Sequence, residues 1–186
     1  MKDLNIPAKI QFGETVLILL GVLTIAVAAR FSITVPGSQV PQSAQSFILL
    51  LIAFLPGRRG LIVVLVYLLV GLLGLPVFAD GASGLEYFLA SSLGYFIGFV
   101  LAVGLLDIYK SKTRQANLLQ LISVMLLAHT LILFAGWFRL SFMLNTTAAF
   151  YAGVQPFLLG ALYKSIAAAV IVYALRKHIW KSAVAN

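Results

Sequence analysis

Apolar runs broken by short polar or turn-forming segments recur along the chain, at residues 15–31, 46–55, 61–75, 88–106, 118–138 and 157–175. Each reads as a membrane-embedded helix, which predicts an all-α integral membrane protein with six transmembrane helices. Six spans of ~20 residues use ~120 residues, so the 186-residue chain has little left over for connections and tails. Residues 1–13, with Lys2, Asp3 and Lys9, read as a short amphipathic lead-in. Residues 14–178 then form the six-helix membrane domain and 179–186 a cytoplasmic tail.

The second and third runs are short. At 1.5 Å per residue they rise only about 15 and 22 Å, less than the ~30 Å hydrocarbon core. The flanking segments 32–45 and 76–83, rich in Pro, Gly, Ser and Gln, are the candidates to complete those spans. Irregular backbone at membrane depth is tolerated only where protein buries it or where it lines a cavity. The expectation is a polar-lined pocket open to the outer side, built from the first and third connections. Plain surface loops over locally thinned helices are the alternative.

Composition sharpens this picture. Hydrophobic residues make up 62% of the chain and charged residues 10%, with a mean hydropathy of +1.06; about 25% charged is usual in a globular domain, so a soluble domain is excluded. Thirteen Lys and Arg against five Asp and Glu give a net charge of +8. These cations sit in short clusters between apolar runs and form no continuous basic face, so they orient the chain in a bilayer and no nucleic-acid partner is expected. Lys2 and Lys9, Arg58 and Arg59, Lys110, Lys112 and Arg114, and Arg176, Lys177 and Lys181 all fall on one side if both termini are cytoplasmic. Arg30 and Arg139 mark outer helix ends. A signal peptide cleaved near Ala26-Val27-Ala28 is a rival reading of the N-terminus, against which the lead-in is long. The absence of cysteine removes disulfides, thiolate metal sites and a cysteine nucleophile.

Lys164 stands out among the remaining charges. It lies ~13 Å along the last helix from Gln155 and ~18 Å from Arg176, near mid-membrane. An ionisable residue there is costly and points to a functional site. Its neighbours Gly160, Ala161 and Ala168 are small, and Asp80 is the carboxylate nearest in depth. A purely structural ion pair is the competing reading. On the fourth helix Tyr87, Ser91, Ser92 and Tyr95 gather hydroxyls on the outer half. Gly94, Gly98 and Ala102 follow at a spacing that lets backbones approach closely, and Gly21, Thr24 and Ala28 make a similar stripe on the first helix. Ser83 and His129 invite comparison with an intramembrane serine protease, but a dyad needs hydrogen-bond reach. His129 lies ~13 Å below the outer end of its helix, so it reads better as an interhelical hydrogen-bonding residue. The glycines at 56–60 lack the phosphate-binding G-x-x-x-x-G-K-[ST] pattern, and no carboxylate cluster suits a metal. Neither ATP hydrolysis by this chain nor a cofactor is expected.

Val35-Pro36-Gly37-Ser38-Gln39-Val40-Pro41-Gln42-Ser43-Ala44-Gln45-Ser46, then Pro56-Gly57-Arg58-Arg59-Gly60, Gly74-Leu75-Pro76-Val77-Phe78-Ala79, Gly94-Tyr95-Phe96-Ile97-Gly98-Phe99, and Gln155-Pro156-Phe157-Leu158-Leu159-Gly160 with Lys164 resemble, in order, the BioY family. Members of that family are the biotin-binding S components of energy-coupling factor transporters. The resemblance implies a multi-pass protein of the bacterial cell membrane, surrounded by lipid, that captures biotin with high affinity near the outer surface. It also implies a transmembrane coupling subunit and two ATPase subunits as partners. The family's last helix usually carries Gly-Asp-x-x-Lys, with Asp and Lys serving the biotin head group. Lys164 matches, but Ala161 stands in place of the Asp, and Asp80 or Gln45 is expected to supply the polarity. Ser91-Ser92-Leu93-Gly94 departs from the family's Gly-Pro-Thr-Gly while keeping a hydroxyl at Ser92. The implied biotin contacts are Lys164, Gln45, Ser92, Tyr95 and Asp80, with Arg139 or Arg30 at the carboxylate. An S component or solitary transporter for another vitamin is the runner-up.

Overall fold

A computed structural model of the chain describes residues 8–33, 38, 40–113 and 116–184. Lys2, Asp3, Val35-Pro36-Gly37, Gln39 and Arg114 lie outside the described residues, as do the side chains of Lys9, Arg176, Lys177 and Lys181. Helix α1 (Ala8–Arg30) leads into a two-residue antiparallel ladder, β1 (Ser32–Ile33) with β2 (Gln42–Ser43). Then come α2 (Gln45–Ile52), α3 (Arg59–Leu72), a 3-10 turn at Ala79–Gly81, α4 (Gly84–Leu89), α5 (Leu93–Lys112), α6 (Leu118–Ser141), α7 (Thr146–Gly153), a second 3-10 turn at Gln155–Phe157 and α8 (Leu158–Val184).

The breaks follow from local chemistry. Asn117 opens α6 with a reciprocal capping box to Gln120, and Asn145 opens α7 by accepting from Ala148 N at 2.8 Å. Pro156 cannot continue a hydrogen-bonded helix and separates α7 from α8. The apolar run expected at 88–106 is two helices, because the chain turns at residues 90–92 between α4 and α5, where two serines compete for backbone hydrogen bonds. At the ends, residues 8–13 are continuous with α1, and α8 runs on to Val184.

Among the described residues four segments are long and apolar enough to cross a bilayer: Gly13–Arg30, Leu93–Lys112, Leu118–Ser141 and Thr146–Leu175. The eight residues of α2 and fourteen of α3 are short of that length, in keeping with their short apolar runs. Helix α5 packs most extensively on α6, α6 on α8, and α1 on α3. The α5–α6 contact depends on two glycines, since a Cβ at Gly98 would come within 2.7 Å of Ile132 Cα and one at Gly94 within 2.9 Å of Gly136 Cα. Small residues thus serve helix approach here.

The two ends of the bundle differ. At one end Arg59 pairs with Glu14 at 2.6 Å, tying the α2–α3 turn to α1. At the same end the Lys110 ammonium, at the end of α5, donates to the carbonyls of Ala53, Leu55 and Gly57. At the opposite end Arg30 donates to Pro76 O and Arg139 to Leu89 O.

Candidate ligand-binding site

The β1–β2 ladder folds the first connection back into the bundle. Its second strand, Gln42–Ser43, crosses in front of α8, and Ser43 O accepts from Lys164 Nζ at 2.6 Å. From there a hydrogen-bond chain runs inward. Ser43 Oγ donates to Gln45 Oε1 at 2.7 Å, Gln45 Nε2 donates to the Tyr67 hydroxyl, and Tyr67 donates to Val77 O at 3.0 Å. This chain couples the first connection to the third through α2 and α3, so the irregular backbone at both places has buried partners.

Between these connections and α5, α6 and α8 lies a cavity of about 70 Å³. One wall is aromatic: Tyr87, Tyr95, Phe96, Phe99 and Phe157 line it, backed by Phe78, whose ring centre is 4.6 Å from that of Phe96. The other carries Gln42, Ser43, Gln45, Ser92, His129 and Lys164. Lys164 also borders a second groove of about 280 Å³ on the far side of Gln42 and Ser43. Chemically this is an apolar slot with polar groups at one side, suited to a flat organic ring bearing hydrogen-bonding edges.

Four of the six residues expected at a site come together here: Lys164, Gln45, Ser92 and Tyr95. Their free valences differ. Tyr95 spends its hydroxyl on Gly153 O at 2.6 Å and offers the cavity its ring. Gln45 has a partner at each end of its amide. Ser92 is hydrogen-bonded to Tyr87 on the aromatic wall. The other two residues lie apart from the lining. Asp80 sits in an exposed turn at φ 55° and accepts from Ser32. It is therefore no partner for Lys164, which has no carboxylate within ion-pair reach among the described residues. Arg139 reaches across to the α4–α5 turn and Leu89 O at 2.8 Å, and Arg30 to Pro76 O at 2.6 Å; both secure turns at the same end of the bundle. Ser83 begins α4, whereas His129 bonds Ser165 of α8 through Nδ1 at 2.7 Å, so no Ser83–His129 dyad forms.

Sequence reasoning misses Tyr67, Gln42 and Ser43 as site residues. Tyr67 is visible as a lone hydroxyl in the centre of an apolar helix, a polar tip that needs a partner when buried. The ladder that delivers Gln42 and Ser43 gives no periodic signal, being two residues long.

The family model of BioY proteins matches residues 3–181, nearly the whole chain. The chain belongs to the BioY family. The match takes in every element that walls the cavity. Among relatives, a probable biotin transporter BioY of Rickettsia prowazekii is 32% identical over 152 residues, 81% of this chain and 77% of that protein. The biotin transporter BioY of Thermotoga maritima is 30% identical over 163 residues, 87% and 95% of the two chains. In three dimensions the chain superposes with a TM-score of 0.81 on a crystal structure described as the S-component for biotin from an ECF-type ABC transporter, at 26% identity, covering 92% of this chain and 95% of that one. Within the BioY frame Ala161 lines the cavity one turn from Lys164, so the family's usual carboxylate is missing from the wall itself.

Proposed function

We propose that this protein is the biotin-capturing S component of an energy-coupling factor transporter. The observation that carries the reading is the cavity: within a chain so similar in fold to a biotin S-component, it sets a buried cation, Lys164, opposite a wall of aromatic rings. Biotin presents fused rings with a thioether, a ureido group with two N–H donors and a carbonyl, and a carboxylate on a flexible chain. The aromatic wall suits the rings, and Lys164 suits the ureido carbonyl or the carboxylate. Gln45, Ser92 and Tyr95 frame the rings, and Asp80 and Arg139 act at the mouth, where they fix the outer turns.

The membrane arrangement follows. The protein crosses the bacterial cell membrane six times, with α2 and α3 completed by the polar connections, and residues 14–178 form the membrane domain between a short lead-in and a cytoplasmic tail. Both termini are cytoplasmic. Support comes from the cations: Arg58, Arg59, Lys110 and Lys112 stand at the end of the bundle where Glu14 meets Arg59, and a cytoplasmic excess of Lys and Arg is the rule. The cavity then opens outward. Energy comes from separate partners, a transmembrane coupling subunit and two ATPase subunits, because this chain has no phosphate-binding glycine loop.

Titration of the purified protein with biotin, followed by calorimetry, tests the reading. Saturable one-to-one binding at or below micromolar biotin is expected. Absence of saturable binding at that concentration, or binding of another vitamin that biotin does not compete away, overturns it.

A further inference from the structure

His129 sits deep in α6, 3% exposed, and its two ring nitrogens have different surroundings. Nδ1 lies 2.7 Å from Ser165 Oγ, and that same oxygen lies 3.3 Å from Met125 O. A carbonyl can only accept, so when the single serine proton goes to Met125 O the serine oxygen accepts from Nδ1–H. In that tautomer the lone pair is on Nε2. Nε2 is buried with no hydrogen-bond partner among the described residues, in a side chain that lines the cavity alongside Lys164 and Ala161. Such an orphan acceptor calls for an explanation.

Of three other polar groups of the wall, none is an acceptor left without a partner. Lys164 has donors only, Tyr95 donates to Gly153 O, and Gln45 Oε1 already accepts from Ser43. Among the described residues no carboxylate lines the cavity. A cyclic urea has two N–H groups that need acceptors, and among these groups Nε2 is an acceptor without a donor.

We infer that His129 Nε2 accepts a hydrogen bond from a ureido N–H of the bound ring, its tautomer set by the relay through Ser165 to Met125 O. The inference rests on the biotin reading of the same cavity. It makes His129 a ligand contact and an interhelical tie at once, one nitrogen for each.

The test is a double cycle of purified protein and ligand: wild type and His129→Leu, each titrated with biotin and with the two mono-N-methylated ureido biotins. His129→Leu is expected to weaken biotin binding about 10- to 100-fold. Methylation of the contacting nitrogen should cost the wild type a similar factor and cost the leucine variant nothing further. Wild-type affinity in the variant, or penalties that simply multiply, would overturn the inference while leaving biotin capture intact; a wild type that binds no biotin overturns the functional reading itself. If the leucine variant does not fold, the 15N imidazole resonances of the labelled wild-type protein decide. An unprotonated Nε2 that shifts on adding biotin supports the assignment, and a protonated Nε2 in the complex refutes it.

Discussion

Lys110 and Lys164 are buried to the same extent, 9% and 8% exposed, yet one is saturated and the other is not. An ammonium has three donors. Lys110 meets the carbonyls of Ala53, Leu55 and Gly57 at 2.9, 2.6 and 2.8 Å, and Asp107 one turn earlier on α5 at 2.8 Å. It has more acceptors than protons. Lys164 meets one carbonyl, that of Ser43 at 2.6 Å, and the Ser46 hydroxyl at 3.4 Å, beyond the usual range of a good hydrogen bond. Burial alone therefore does not distinguish the two lysines; saturation among the described residues does. Lys110 holds the turn after α2, where carbonyls lack helical partners. Lys164 holds one strand residue and keeps donor capacity for a guest.

The sharpest way to break this comparison is to remove both charges with the same isostere. Lys110→Met strands Asp107 and three carbonyls, so a loss of roughly 3–5 kcal/mol in stability is expected, read as a large drop in thermal midpoint in detergent. Lys164→Met strands no carboxylate, and its midpoint should move little. Its biotin affinity should instead fall about 30-fold to 1,000-fold, the usual cost of truncating one side of a buried charge-assisted contact. If Lys164→Met unfolds the protein as readily as Lys110→Met, the distinction is wrong.

A subtler change converts one lysine into the other. Ala161 lies three residues before Lys164 on α8 and lines the same cavity, the spacing that Asp107 and Lys110 already use. Ala161→Asp should be tolerated, because Lys164 compensates the new carboxylate. Adding Lys164→Met to it should now destabilise by about 1–3 kcal/mol, as the stranded carboxyl either stays unpaired or protonates. Comparing the midpoints of the single and double variants checks this. Equal midpoints would mean that the two side chains do not meet.

Much of this contrast is legible in the sequence, and the reasons why the rest is not are physical. The apolar runs mark the long helices, the short second and third runs announce irregular connections, and the isolated Lys164 in an apolar helix flags the cavity. Lys110 is misleading, because in sequence it is one of three cations after a helix, indistinguishable from an orienting charge. Its burial comes from the turn after α2 folding onto α5, a long-range contact that leaves no local pattern. Asp80 misleads for the converse reason. Counted along the sequence it is the carboxylate nearest in depth to Lys164, but it sits in a positive-φ turn and accepts from Ser32. Depth along a helix can be counted from sequence, whereas direction around the bundle cannot.

Tyr95 gives the smallest effect and tests whether counting free donors extends beyond lysine. Its ring lines the cavity, but its hydroxyl donates to Gly153 O at 2.6 Å, joining α5 to the end of α7. By the reasoning applied to Lys110, a donor already satisfied by backbone is structural. Tyr95→Phe keeps the ring and leaves one carbonyl short of a donor, so a stability loss of about 1 kcal/mol is expected. Biotin affinity should stay within about threefold of wild type, since a neutral bond lost outside the contact surface is worth little to the ligand. The titration that measures Lys164→Met measures this variant too. A tenfold loss would mean that the hydroxyl leaves Gly153 for the ligand, and that partners counted before the ligand arrives do not show which donors it will use.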